Sequence, residues 1–255
     1  MKNIIKEPKI TLVGAGPGDP ELLTIKGLKA IQSADVIIYD ALVNEDLLKE
    51  APDAIKIYAG KRKGHKAMSQ KEINKLIVES ALQYGHVVRL KGGDSFVFGR
   101  GFEEIQFIRM FGIQAEVIPG ISSCIAVPAL ANIPVSHRGI NTHFTVVTAT
   151  LSDGSLNPEI NSIAELNGTV VILMGLSKLQ EIAEIYQRIG KESIPMAVIS
   201  KGSTKEQQTI FSQAKNIHEH AEKIQSLSPA VIVIGEAVKL GESTSNFQYF
   251  QNYLN

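Results

Sequence analysis

The chain has one cysteine, no tryptophan and no excess charge of either sign: 26 Lys and Arg residues stand against 26 Asp and Glu in 255 residues. A lone Cys124 excludes an internal disulfide and a metal site built from several thiolates. Its place beside the apolar run Ile125 to Ala131 reads as a small buried residue on a packed helix rather than a nucleophile. Balanced charge gives no bulk attraction to nucleic acid or to an anionic membrane. Apolar runs fall short of the ~18 residues that a membrane span needs. The segment Met1 to Lys9 is polar and lacks the apolar core of a signal peptide, so the cytoplasm is the expected location. Walker A, G-x-S-x-G and H-E-x-x-H sequences are missing. Six scattered histidines show no ligand spacing, and His218 and His220 read as exposed helix. Hydrolysis through a triad or a bound metal therefore has no support, and no metal is expected.

What is present is apolar material enough for two cores: 44% of residues are hydrophobic and 20% charged, ordinary for a globular protein. Strands are expected at 9–13, 36–39, 55–58, 86–90 and 115–118, then at 144–148, 169–174, 195–200 and 230–234. Helical spacing covers 21–33, 103–111, a stretch through about Ala131, 178–188 and 213–225. Ser69 with Glu72 has the form of a capping box opening a helix to about Leu82. Asn132 to Asn141, with one Pro and one Gly, is the candidate linker, and the lobes are set at 1–137 and 138–255. Strands alternating with helices make each an α/β lobe, and two-lobed proteins usually bind ligands in the crevice between the lobes.

The first strand runs into Gly14-Ala-Gly-Pro-Gly-Asp19. A dinucleotide loop would carry its third glycine where Asp19 stands, and that carboxylate would repel a phosphate. Pro17 also removes a backbone donor. A ligand without phosphate suits the loop, and a plain strand-to-helix turn remains the alternative. Asp40 follows the second strand, where it either faces a ligand crevice or caps the next segment. Between Lys56 and Lys66 lie Lys56, Lys61, Arg62, Lys63, His65 and Lys66 without an acid, a solvated loop or a surface for a small polyanion. Arg89, Lys91, Arg100, His137 and Arg138 could extend that surface. Lys91-Gly-Gly-Asp94 with Phe98-Gly-Arg-Gly101 follows the fourth strand, and its paired glycines permit close approach to a flat ligand. Ser122 and Ser123 can cap a helix or meet a ligand carboxylate at its N-terminus. Met174-Gly175 and Lys201-Gly202 end strands of the second half, and Met is usually core filling.

Taken in order, Val13 to Pro20, Tyr39-Asp-Ala-Leu-Val43, Gly60-Lys-Arg62, Val88 to Asp94, Phe98 to Gly101, Pro119-Gly-Ile121, Ile133 to Arg138 and Met174-Gly175 resemble the uroporphyrinogen-III C-methyltransferases of the tetrapyrrole methylase superfamily. The resemblance spans about Ile10 to Val238. It implies an α/β fold of two lobes with the ligand cleft between them, a homodimer, and S-adenosylmethionine as methyl donor with S-adenosylhomocysteine as product. By motif, Pro17, Gly92, Gly93, Asp94, Val97, Ser122, Ser123, Met174 and Gly202 would contact the methyl donor. Asp40 and Lys61 match positions with proton-transfer roles, and Arg62, His137 and Arg138 would bind the carboxylates of uroporphyrinogen III. The implied reaction is two successive methylations, at carbons 2 and 7 of the macrocycle, giving precorrin-2 for sirohaem or cobalamin biosynthesis. A chain of this length leaves no room for fused chelatase or synthase modules, so a stand-alone enzyme is expected. Ser95, Ser122-Ser123 and Thr148-Ala-Thr150 depart from the family pattern of Pro, Thr-Ala and Thr-Gly-His. The rival readings are another cobalamin-pathway methylase, diphthine synthase, or a non-catalytic nucleotide-binding protein.

Overall fold

The computed structural model describes residues 7–60, 68–220 and 228–245. The chain divides into two compact units, Met1–Ser122 and Ser123–Asn255, a break earlier than the 137/138 boundary expected from the Pro and Gly content of 132–141. The physical reason lies in the helix Ser123–Leu130. It packs on strands Ala230–Ile234 and Thr169–Leu173, which carry the second core. The supposed linker is folded too, closed by a bridge between His137 and Asn141.

The first unit holds a five-stranded sheet of β1 (Lys9–Gly14), β2 (Val36–Tyr39), β3 (Ile55–Tyr58), β4 (His86–Lys91) and β5 (Gln114–Ile118). The strand order is β3-β2-β4-β1-β5 and every pairing is parallel. A parallel sheet is covered on both faces, so its central strands read as unbroken apolar runs. Side chains alternate across it. Ile10, Leu12, Val36, Ile38 and Val87 face one core with Ile77 and Ile108. Val13, Ile37, Tyr39, Val88 and Leu90 face the other with Ile31 and Leu47. Helices α1 (Ile25–Gln32), α2 (Gln70–Tyr84) and α3 (Gly101–Arg109) supply the cover. The box opening α2 forms as read, with Ser69 and Glu72 each accepting from the other's backbone. The single helix expected over 21–33 is instead a 3-10 turn, Pro20–Leu22, followed by α1. Thr24 takes an extended conformation and caps α1 by accepting from the Gly27 amide, which breaks the run.

The second unit begins with α4 (Ser123–Leu130) and carries β6 (Phe144–Thr148), β7 (Thr169–Leu173), β8 (Pro195–Ser200), β9 (Gln208–Gln213) and β10 (Ala230–Ile234). The order is β6-β7-β10-β8-β9; β6 and β7 run parallel, and the other pairings are antiparallel. Helices α5 (Glu159–Glu165), α6 (Leu179–Arg188) and α7 (Val238–Ser245) complete the described elements. Three of these elements carried no clear periodic signal. β9 is an edge strand with polar ends, α5 spans only seven residues, and α7 mixes Gly, Ser and Thr with few apolar positions. The helix expected over 213–225 is replaced within the described residues by the end of β9 and a 3-10 turn, Ile217–His220. Short α5 gains support from Lys191, whose Nζ donates to the carbonyls of Ala164, Glu165 and Leu166. A cation there complements the helix C-terminus.

Tyr186 lies in the second core, 1% exposed, and its hydroxyl has no hydrogen-bond partner among the described residues. Burial accordingly pushes its phenol pKa upward. Tyr186→Phe removes that uncompensated group. It should leave stability to urea unchanged or raise it by up to ~1 kcal/mol; a loss would mean the hydroxyl is satisfied in solution.

Candidate functional site

Ligands of open parallel sheets gather beyond the carboxyl ends of the strands, and in the first unit those ends are packed loop against loop. A Cβ built on Gly14 would lie 2.5 Å from the Gly120 nitrogen and 2.7 Å from the Gly93 carbonyl oxygen; one on Gly120 would meet that same carbonyl and lie 2.6 Å from the Gly14 Cα. Three backbones, following β1, β4 and β5, thus share a space in which no side chain fits. Gly16 and Gly93 also exchange backbone hydrogen bonds, at 3.2 and 2.7 Å. These glycines serve close approach of backbone to backbone, a use that their sequence spacing does not distinguish from approach to a ligand. Gly92 is different: its missing Cβ would lie 2.8 Å from the Cβ of Leu42, which is 63% exposed.

Asp94 locks this arrangement. Its Oδ2 accepts from the Gly120 amide at 2.9 Å and its Oδ1 from the Phe96 amide at 2.8 Å. One carboxylate therefore ties the β4 loop to itself and to the β5 loop. Asn44 does the same for a second pair of loops. It caps the 3-10 helix Glu45–Glu50 and donates from Nδ2 to the Gly18 carbonyl at 2.9 Å. Asp19 accepts from the Glu21 amide, capping the turn that follows the glycine loop.

Asp40 does not cap the segment after it, a task that falls to Asn44. Strand alternation explains where its side chain goes. Val36, Ile38 and Asp40 share one face, as do Val87, Arg89 and Lys91 on the neighbouring strand, with Ile38 opposite Arg89. Helices α2 and α3 cover that face, so two cations point inward. Arg89 Nη2 donates to Asp40 Oδ1 at 2.5 Å, and Lys91 Nζ stands 3.7 Å from Asp40 Oδ2. Behind them lies Glu104 on α3. Its Oε1 accepts from Arg89 Nε at 3.3 Å, from Lys91 Nζ at 3.0 Å and from Gln70 Nε2 at 3.0 Å. Arg89 donates further to the carbonyls of Ile38 and Leu90. Two cations and two carboxylates balance, and only Asp40 reaches the surface, its side chain 29% exposed against 0–5% for the others. Arg89 and Lys91 therefore do not extend a basic binding surface. Arg100 pairs with Glu103, an exposed pair that holds the Glu103 carboxyl below its ordinary pKa.

In the second unit the ends of β6, β7 and β8 carry the remaining positions. Met174, at 53% exposed, is far from core filling. It holds a left-handed backbone (φ 53°), and its carbonyl accepts from Thr150 Oγ1 at 2.7 Å. Gly202 lies between Lys201 (φ 46°) and Ser203 (φ 66°), and a Cβ on it would run into buried Val127 of α4. Of six left-handed residues other than glycine among those described, five follow β4, β7 or β8: Phe98, Arg100, Met174, Lys201 and Ser203. Such conformations cost about 1–3 kcal/mol each and gather where a backbone is held for a purpose. His137 and Arg138 sit exposed on a turn pinned by Asn141, whose Oδ1 accepts from the His137 amide and whose Nδ2 donates to Val135, His143 and Thr169.

All nine positions matched to the methyl donor, Pro17, Gly92, Gly93, Asp94, Val97, Ser122, Ser123, Met174 and Gly202, keep solvent-accessible surface, as ligand contacts require. Lys61 and Arg62 lie outside the described residues. Asn44 and Glu104 were missed. Glu104 did carry a signal, because it shares the buried stripe of α3 with Gly101, Ile105 and Ile108, and a carboxylate on such a stripe must have cationic partners.

A family model described as Tetrapyrrole (Corrin/Porphyrin) Methylases matches residues 9–218. The chain is 49% identical over 239 residues to a uroporphyrinogen-III C-methyltransferase of Methanocaldococcus jannaschii, covering 92% of this chain and 98% of that one. It is 44% identical to an S-adenosyl-L-methionine-dependent uroporphyrinogen III methyltransferase of Methanosarcina barkeri, covering 91% of this chain and 92% of the relative. Among solved structures, a uroporphyrin-III C-methyl transferase from Thermus thermophilus, complexed with S-adenyl homocysteine, superposes with a TM-score of 0.79. That pair shares 35% identity, with 91% of this chain and 99% of that one covered.

The packing of the three glycine loops is directly testable. Gly120→Ala places a methyl group against two backbones that cannot rotate away, so we expect a loss of about 2–4 kcal/mol in urea denaturation. Unchanged stability would mean that the loops can separate freely.

Proposed function

The chain belongs to the tetrapyrrole (corrin/porphyrin) methylase family, and on that footing we propose that it transfers two methyl groups from S-adenosylmethionine to uroporphyrinogen III, giving precorrin-2. One observation carries the choice of substrate: near-complete mutual coverage at 49% identity with the archaeal uroporphyrinogen-III C-methyltransferase. When bound, S-adenosylmethionine supplies a methyl group on a sulfonium, already a good leaving group. The protein's part is to hold the reacting atoms in line and to receive a proton.

Asp40 is the proton acceptor in this reading. Its carboxylate is the one exposed member of the buried ionic group, fixed by Arg89 and Lys91 and open to solvent at the end of β2. General-base assistance of this kind contributes roughly 10²–10⁴-fold. Lys61 is its partner in proton transfer by family resemblance. Arg62, His137 and Arg138 are the proposed partners of the substrate's carboxylates, supported for the last two by their exposure. Pro17, Gly92, Gly93, Asp94, Val97, Ser122, Ser123, Met174 and Gly202 are the proposed contacts to the methyl donor. Asp94 acts in that set mainly by arranging backbone, since both its oxygens are engaged by amides. A homodimer working in the cytoplasm completes the proposal. Among the described residues no helix is long and apolar enough to cross a membrane.

Anaerobic incubation with uroporphyrinogen III and S-adenosylmethionine should give, after oxidation, a product heavier by two methyl groups in mass spectrometry. Absence of methylation despite tight cofactor binding would move the substrate to another branch of the family. Asp40→Ala should lower kcat by about 10²-fold or more with S-adenosylhomocysteine affinity nearly unchanged; wild-type turnover would remove Asp40 from the mechanism. Asp94→Asn sets an amide N–H₂ against a backbone N–H. It should weaken S-adenosylhomocysteine binding by about 10-fold, corresponding to one lost charge-assisted hydrogen bond. Unaltered affinity in calorimetry would count against that assignment.

A further inference from the structure

We propose that Glu104 is a positioning residue for the methylation reaction: through Arg89 and Lys91 it holds the Asp40 carboxylate in place and balances the charge around it. The inference rests on the reading of Asp40 as the proton acceptor and extends it to a residue that itself reaches no solvent.

Three observations support it. Glu104 is fully buried on α3, and a single oxygen takes Arg89 Nε, Lys91 Nζ and Gln70 Nε2 at 3.0–3.3 Å. Its second oxygen is buried with no hydrogen-bond partner among the described residues. Such a site is expensive, since buried ionic groups of this kind are often replaced by apolar side chains with no loss of stability or with a gain. Stability therefore does not account for the arrangement. Its outward end does, because both cations held by Glu104 also contact Asp40, at 2.5 and 3.7 Å. Each cation is thereby shared between one buried carboxylate and one accessible carboxylate. Without Glu104, two nearly inaccessible cations would converge on Asp40 alone, and the net positive charge would draw its oxygens inward, away from a substrate. With Glu104 present, Lys91 and Arg89 are anchored from behind and Asp40 keeps a fixed, solvent-facing edge. Gln70, itself bonded to Asn74, steadies Glu104 from α2.

The test is a double-mutant cycle on the full-length protein, using anaerobic methylation kinetics with uroporphyrinogen III and S-adenosylmethionine, and calorimetry with S-adenosylhomocysteine. Glu104→Gln keeps the shape of the side chain. It should lower kcat on the order of 10- to 100-fold, with both KM values and S-adenosylhomocysteine affinity close to wild type. A merely structural role would not produce that split between kcat and KM. Asp40→Asn should be slow on its own, and adding Glu104→Gln to it should cost little more, because the two act as one unit. A fully multiplicative loss in the double variant, or a wild-type kcat in Glu104→Gln, would overturn the role of Glu104 while leaving Asp40 as the acceptor. Wild-type kcat in Asp40→Asn would instead overturn the acceptor reading itself, and the inference with it. Should Glu104→Gln fail to fold, Glu104→Asp keeps the buried charge balanced but withdraws the carboxylate from Arg89 and Lys91. It should lower kcat while S-adenosylhomocysteine affinity stays close to wild type, and a wild-type kcat would overturn the proposal.

Discussion

At the carboxyl ends of β1, β4 and β5, the backbones of Gly14, Gly93 and Gly120 approach so closely that a methyl group on Gly14 or on Gly120 would collide with the other two. Much of the first unit's site follows from that contact. A parallel sheet delivers its strand ends side by side, but three connecting loops would ordinarily splay apart to give their side chains room. Removing the side chains lets the loops converge, and the Asp94 carboxylate then bonds the amides of Gly120 and Phe96. Around this contact Pro17, Gly92, Gly93 and Asp94 stay half-buried, with surface left to meet a ligand.

The ionic group behind Asp40 obeys a different constraint. Strand alternation sends Arg89 and Lys91 to the face covered by α2 and α3, where an uncompensated charge would be prohibitive. Glu104 answers from the first turn of α3 and Asp40 from the end of β2, leaving two cations and two anions. The two devices lie next to each other on β4: Arg89 and Lys91 face inward immediately before Gly92, Gly93 and Asp94 begin the loop. A single strand thus carries both the support for the proposed proton acceptor and the scaffold for the proposed cofactor contacts. In the second unit, Met174, Lys201 and Ser203 are held left-handed at the ends of β7 and β8.

Much of this was legible in the residues. Apolar runs such as Val36-Ile-Ile-Tyr39 and Pro195 to Ser200 announce buried strands, and Ser69 with Glu72 announces the start of α2, because these signals are local. Elements held by their neighbours rather than by their own pattern escaped notice. β9 exists as an edge pairing to β8, and the short α5 is supported at its end by Lys191. Asn132 to Asn141 has the composition of a linker, yet Asn141 bonds Val135, His143 and Thr169 and folds it onto the second unit.

By itself the sequence determined the class of the protein, the order of most of its strands and helices, and the family to which its glycine, Asp40, Asp94 and His137-Arg138 motifs relate it. These depend on local patterns and on matched positions along the chain. Only the tertiary structure decided what the same residues do to one another. It turned the glycines into contacts between backbones and Asp94 into a tie between loops. It changed Arg89 and Lys91 from surface cations into buried partners of Asp40, and it brought in Glu104 from a helix 64 positions further along the chain. The reason is geometric: a parallel sheet places side by side residues that are remote in sequence, and charge balance and steric fit are settled only among those neighbours.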